Sequence, residues 1–257
     1  MWHPILPGIY SSLSESASEW DLSSNTVLQY KLNDSAGNGI VTDMEGVPGT
    51  ATVNTDTLSV PGKIVNAFKF NGIQADYVNC NQVLQSTWRS SHNISLWLKP
   101  NDGMPSPFEF IYGTRSGWPI EGDNEIYLIL LDTGKIWVYY KSDNIGTLTE
   151  TLNAIFPNGP TSWTHIVINI STSQISIYVN KVNQPLHPVR DGNMSGIIMS
   201  NWTSSENLFL GSGNTSVGHA RTFTGLIDDF RIHDRILTQV EINGINNNGS
   251  GTEAQSG

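Results

Sequence analysis

The 257-residue chain has one cysteine, Cys80, so no disulfide closes within it and its stability must come from an apolar core or a bound metal. A lone thiol of this kind serves as a small apolar space-filler. Basic residues are scarce: 13 Lys and Arg stand against 23 Asp and Glu, a formal net charge of −10. Such a chain lacks the cationic patch that binds nucleic acid or an anionic membrane, and neither is expected as a partner. No run approaches the roughly 18–20 apolar residues of a membrane span, so no membrane insertion is expected. The opening residues, Met1 to Gly8, contain no Lys or Arg and no apolar stretch of secretory-signal length, which leads to an expectation of synthesis in a cytosol. Helical periodicity is nearly absent, and so is any repeat of fixed length, which disfavours a solenoid or propeller. His3, His92, His165, His187, His219 and His233 share no spacing typical of zinc sites.

What is present is a succession of short strand patterns separated by Gly, Asn, Asp and Pro. The clearest fall at 27–32, 67–70, 94–98, 126–130, 136–140, 165–170, 175–179, 208–210 and 225–233. Asp132-Thr133-Gly134 joins two of them as a hairpin, with Gly134 supplying a left-handed residue. In the closing strand Phe230 and Ile232 alternate with Arg231 and His233, and Asp228 falls on the face of Phe230 and Ile232. A short helix follows, where Thr238 and Glu241 have capping-box spacing. Many strands and one helix make an all-β, antiparallel two-sheet sandwich with one short C-terminal helix.

Residues 26–245 form one domain on this reading. Ahead of them, 1–25 are a polar arm in which Trp2, Ile5, Leu6, Ile9 and Tyr10 form an anchor for a neighbouring surface. Behind them, 246–257 have linker composition and are expected to touch other subunits.

Four segments in order resemble the laminin-G-like, concanavalin A-like lectin/glucanase group. The first is 28–39, from Leu28 through Asp34-Ser35-Ala36-Gly37-Asn38-Gly39. The second comprises Asn66-Ala67-Phe68-Lys69-Phe70-Asn71-Gly72 with Tyr77-Val78 and Ser95-Leu96-Trp97-Leu98-Lys99-Pro100. Ser162-Trp163-Thr164-His165-Ile166-Val167 with Ile177-Tyr178-Val179-Asn180-Lys181 is the third, and the closing strand is the fourth. The resemblance implies a jelly roll. It departs at Asn180-Lys181, where many relatives have Asn-Gly and an Asn must take the left-handed geometry.

By the same resemblance a structural calcium would lie between the opening loop and the closing strand, with Asp34, Asn38, Asp43 and Asp228 as its ligands. Glycan-cutting relatives use a Glu-x-Asp-x-x-Glu strand. Here Ile227-Asp228-Asp229-Phe230 has neither Glu, and Glu121-Gly122-Asp123-Asn124-Glu125 reads as a loop, so no catalytic residues are assigned. For glycan stacking the candidates on loops or outer strand faces are Trp118, Trp202, Tyr112, Tyr139 and Tyr140. His165 reads as structural. The Asn-x-Ser/Thr sequons at Asn33, Asn93, Asn169, Asn193, Asn201, Asn214 and Asn248 follow from an Asn-, Ser- and Thr-rich composition.

The function expected from these features is that of a non-enzymatic structural protein of a virus particle, a bacteriophage capsid decoration or tail component. It would hold other virion proteins or copies of itself through its arm and tail, and touch host glycans through its loops. A carbohydrate-binding or adhesion module of an extracellular protein is the alternative, and a glycan-active enzyme the third.

Overall fold

The computed structural model describes residues 21–34, 39–51, 60–73, 76–114, 123–213 and 221–254. The anchor positions Trp2 to Tyr10, Asn38 and Trp118 lie outside them. The strands are β1 (Thr26–Tyr30), β2 (Ile40–Val41), β3 (Gly49–Ala51), β4 (Val60–Pro61), β5 (Asn66–Asn71) and β6 (Val78–Asn79). After a one-turn helix α1 (Gln85–Trp88) come β7 (His92–Pro100), β8 (Phe108–Gly113), β9 (Glu125–Leu131), β10 (Ile136–Ser142) and β11 (Ile145–Thr151). Then follow β12 (Thr164–Ile170), β13 (Ile175–Val179), β14 (Val182–Asn183), β15 (Leu186–Asp191), β16 (Phe209–Leu210), β17 (Thr224–His233) and helix α2 (Gln239–Asn246).

These strands pair antiparallel into two sheets. One runs β14-β13-β12-β7-β17-β5-β4, with β1 beside β17, and the other β15-β11-β10-β9-β8-β16-β6-β3-β2. Alternation along each strand sends one set of side chains between the sheets. Leu28, Phe68, Ile94, Leu96, Ile166, Ile168 and Ile227 from the first sheet meet Ile111, Ile126, Leu128, Leu130, Ile136 and Val138 from the second. Each such fully buried side chain contributes about 1.5–3 kcal/mol, which is how the fold dispenses with disulfides. Cys80 lies in the same core, its thiol pushed above the ordinary range by burial, and fills space as expected.

The closing strand breaks its own alternation. Asp229 adopts φ +46°, and the register with β7 slips between Asp228 and Arg231. A bulge of this kind reverses the phase of the strand. Ile227, Phe230 and Ile232 therefore all face the core, whereas Asp228, Asp229, Arg231 and His233 lie on the outer face. The expectation that Asp228 shares a face with Phe230 and Ile232 is corrected by that one extra residue.

The C-terminal segment, despite its linker composition, packs on its own domain. Glu241 and Thr238 form the capping box, and Ile242 and Ile245 pack with Leu22, Val167 and Leu237 on the outer face of the first sheet. Beyond the helix the chain crosses the same face. Arg231 is fully buried there, bidentate to Asp229 and donating also to the carbonyls of Thr252 and Ala254. Gln29 donates to the Glu253 carbonyl at 3.2 Å, and Asn33 to the Glu253 carboxylate at 2.5 Å. Residues 247–254 are thus a strap on their own domain, because their carbonyls complete the hydrogen bonding of a buried guanidinium. Leu22 likewise places 21–25 with the domain.

Candidate functional site

The second sheet has an outer face richer in aromatic side chains than water contact alone would favour. In β10, Ile136, Val138 and Tyr140 point into the core, so Trp137, Tyr139 and Lys141 point out. β9 does the same with Tyr127, Ile129 and Leu131. The register lines these up: Phe110, Ile129, Trp137 and Glu150 are successive cross-strand partners, and Tyr127, Tyr139 and Leu148 form the next row. Rows of this kind are about 7 Å apart along the strands.

Gly146 on β11 and Gly213 beyond β16 leave room for two of these rings. A Cβ on Gly146 would come within 2.6 Å of the Tyr139 hydroxyl, and one on Gly213 within 2.5 Å of the Phe110 ring. Tyr139 therefore stacks on Tyr127 at 4.8 Å and 25°, and Phe110 meets Tyr127 edge-on at 5.7 Å. Phe108, Trp137 and Tyr139 stay half-buried at the margin of this cluster.

At the end of the rows, beside the Asp132-Thr133-Gly134 turn, the surface dips into a depression of about 380 Å³. Pro107, Phe108, Leu131 and Trp137 give it apolar walls, and Asp132, Thr133, Glu150 and Arg190 its polar ones. Gly134 takes φ +72° in that turn, as expected. Glu150 accepts from the Trp137 indole at 2.8 Å, from Lys135 at 3.1 Å and from Arg190. Burial alone would raise its pKa, but the Arg190, Trp137 and Lys135 hydrogen bonds together hold it below the usual range. The Arg190 guanidinium lies over the Trp137 ring at 5.2 Å, and that of Arg221 over Phe108 at 4.0 Å.

Of the residues expected to stack on sugars, Tyr139 lies on this face. Tyr112, Tyr140 and Trp202 do not: all three are fully buried between the sheets, so their assignment is corrected. Tyr112 follows a bulge that turns both Ile111 and Tyr112 inward, and the Tyr140 hydroxyl donates to the Trp88 carbonyl at 2.6 Å. Sequence reasoning missed Trp137, Tyr127, Phe108, Glu150 and Arg190. The alternation Ile136-Trp137-Val138-Tyr139-Tyr140 held the signal for Trp137, which shares the face of Tyr139.

Of the four expected calcium ligands, Asp34, Asp43 and Asp228 lie within the described residues, where each accepts hydrogen bonds from the chain. Asp34 accepts from the Thr42 amide at 3.0 Å and its hydroxyl at 2.5 Å. Asp43 accepts from the amides of Gln29 and Glu45 and from the Gln82 side chain. One oxygen of Asp228 takes the amides of Lys63 and Ile64, each at 2.7 Å. Its other oxygen has no partner, and burial pushes this carboxyl up to about 7. Among the described residues, no three Asp, Glu, His or Cys side chains form a group able to hold a metal ion.

A model of the concanavalin A-like lectin/glucanases superfamily matches residues 71–243. Among solved structures, domain 4 of AbnA, a GH43 extracellular arabinanase from Geobacillus stearothermophilus in complex with arabinotriose, is 20% identical with a TM-score of 0.59. That match covers 89% of this chain and 98% of the other. The receptor binding domain of botulinum neurotoxin C/D mosaic serotype is 14% identical, TM-score 0.62, over 86% of this chain and 51% of that one. The chain therefore spans about half the length of the toxin domain it matches. Trypanosoma rangeli sialidase is similar at 15% identity and TM-score 0.54, over 90% of this chain and 34% of that chain. No curated protein matches the chain in sequence.

Proposed function

Because this chain belongs to the concanavalin A-like lectin/glucanase superfamily, we propose that it is a non-catalytic glycan-binding module that works through the outer aromatic face of its larger sheet. The observation that carries this reading is the pair of half-buried rings, Trp137 and Tyr139, on one outer sheet face beside a walled depression. Aromatic rings offer the C–H faces of a sugar an apolar surface, and the polar groups at the rim offer its hydroxyls partners. The arabinanase domain of the same fold is described in complex with arabinotriose, which supports the reading.

Against catalysis stands the chemistry of the depression. A glycosidase needs one carboxyl that keeps its proton near neutrality. Glu150 is held ionised by three donors, and Asp132 is exposed on its turn. The setting we propose is the surface of a virus particle, with capsid or tail proteins as partners. The apolar positions of residues 1–10 support an anchor there, and mass spectrometry of purified particles tests it.

Binding itself is tested on a glycan array, followed by calorimetry on the best ligand. Trp137→Ala and Tyr139→Ala are each expected to weaken binding about tenfold or more, since one stacked ring is worth roughly 1–2 kcal/mol. The absence of any bound glycan would contradict the reading, as would full affinity in both variants.

A further inference from the structure

The depression beside Trp137 has open groups of both kinds. Arg190 gives one N–H to Glu150, and its other N–H groups make no hydrogen bond within the described residues. Its side chain is 42% exposed and its guanidinium lies 5.2 Å from the centre of the indole, at the edge of the depression it lines. Asp132 and Thr133, exposed on the hairpin turn, contribute a carboxylate that is unpaired among the described residues and a hydroxyl. Phe108 and Leu131 make the apolar wall between them.

Arg190 and Lys135 both pair with Glu150, and Asp132 adds an acceptor with no salt-bridge partner among the described residues. An acidic sugar would meet that carboxylate and a chain of net charge −10. Hydroxyl groups, which donate and accept, fit both Arg190 and Asp132.

We infer that this depression is the specificity pocket of the glycan site and admits an uncharged sugar residue, with Arg190 donating to one hydroxyl and Asp132 accepting from another. This rests on the glycan-binding reading and narrows it to neutral polysaccharides, excluding those rich in uronic or sialic acid. Arg190 is then a specificity-determining residue, carried on β15 and positioned by Trp137 and Glu150.

The test is calorimetric titration of the intact protein with a neutral panel (arabinan, xylan, galactomannan, β-glucan) and an acidic one (polygalacturonate, polysialic acid). Each is run at about 50 and 500 mM NaCl, a range that strongly screens exposed charges. The expected result is binding within the neutral panel that changes less than about twofold with salt. Arg190→Ala is expected to lose about tenfold or more, which corresponds to a lost hydrogen bond from a charged donor. Thr133→Trp, which fills the depression from an exposed turn without touching the core, should lose at least as much. Preference for the acidic panel with a steep salt dependence overturns the inference while glycan binding stands. Neutral binding that both variants retain in full does the same, by moving recognition out of the pocket. No binding to either panel removes the inference and the glycan reading together.

Discussion

At the scale of single residues, the outer face of the first sheet holds buried groups that have no hydrogen-bond partner. His165 is buried against Trp97 at a centroid distance of 4.9 Å, and neither ring nitrogen has a partner. Burial first, and then the charge of Arg231, lowers its pKa to about 3. A histidine whose folded pKa lies below its unfolded value favours folding above about pH 6.5 and withdraws that stability as pH falls toward 3. His92 and His233, lowered to about 4 and about 3, act in the same direction, so the protein is expected to lose stability steadily below pH 6.5. His165→Phe keeps the ring and removes two unpaired nitrogens. It should raise the melting midpoint at pH 7 by the equivalent of about 1 kcal/mol, and by more at pH 5. Thermal melts across that range check this, and an equal or lower midpoint at pH 5 would contradict it. That His165 is structural was legible in its sequence position beside strand-forming residues. Its lack of partners was not, because its neighbours Trp97 and Arg231 come from strands nearly seventy residues away on either side in the sequence.

At the scale of elements, strand positions and alternation were readable, while bulges and long-range docking were not. Ile136 to Tyr140 and Thr164 to Ile170 announce their strands by β-branched and aromatic content, and the capping box at Thr238 and Glu241 announces α2. In the turn after Val179, Asn180 does adopt a left-handed conformation, φ +46°, but Lys181 shares it at φ +76°. Period-two reasoning fails where a bulge adds a residue, and this misplaced Asp228 on β17 and Tyr112 on β8. The strap failed for another reason: Asn, Gly, Ser and Thr have linker composition, and nothing local says that their carbonyls serve Arg231. Deleting residues 247–257 would leave Arg231 with Asp229 alone and uncover Trp97. The expected outcome is a destabilisation of about 2–4 kcal/mol in chemical unfolding with no change in oligomeric state. A deletion that leaves stability intact and alters the oligomer would restore the tail as a subunit contact.

At the scale of the whole molecule, the two sheets divide the work. The first carries α2 and the strap on its outer face and is closed, with Arg231 and Val167 beneath them. The outer face of the second carries the aromatic rows and the depression. That division was only partly legible: Tyr139 could be assigned an outer position from alternation alone. The pairing of Trp137 with Glu150, and of Glu150 with Arg190 from the next strand, exists only once the sheet order is known. The lectin-like fold sets the platform, and Gly146 and Gly213 leave room on it for the Tyr139 and Phe110 rings.

The glycan reading predicts which tryptophan senses a ligand. In a ¹⁵N-labelled protein each indole N–H gives its own resonance, and titration with the best array ligand should move that of Trp137 progressively. Those of Trp88, Trp97 and Trp202, buried away from this face, should stay in place. A saturating ligand that shifts Trp97 or Trp202 and leaves Trp137 unmoved would contradict the placement of the site on the aromatic face.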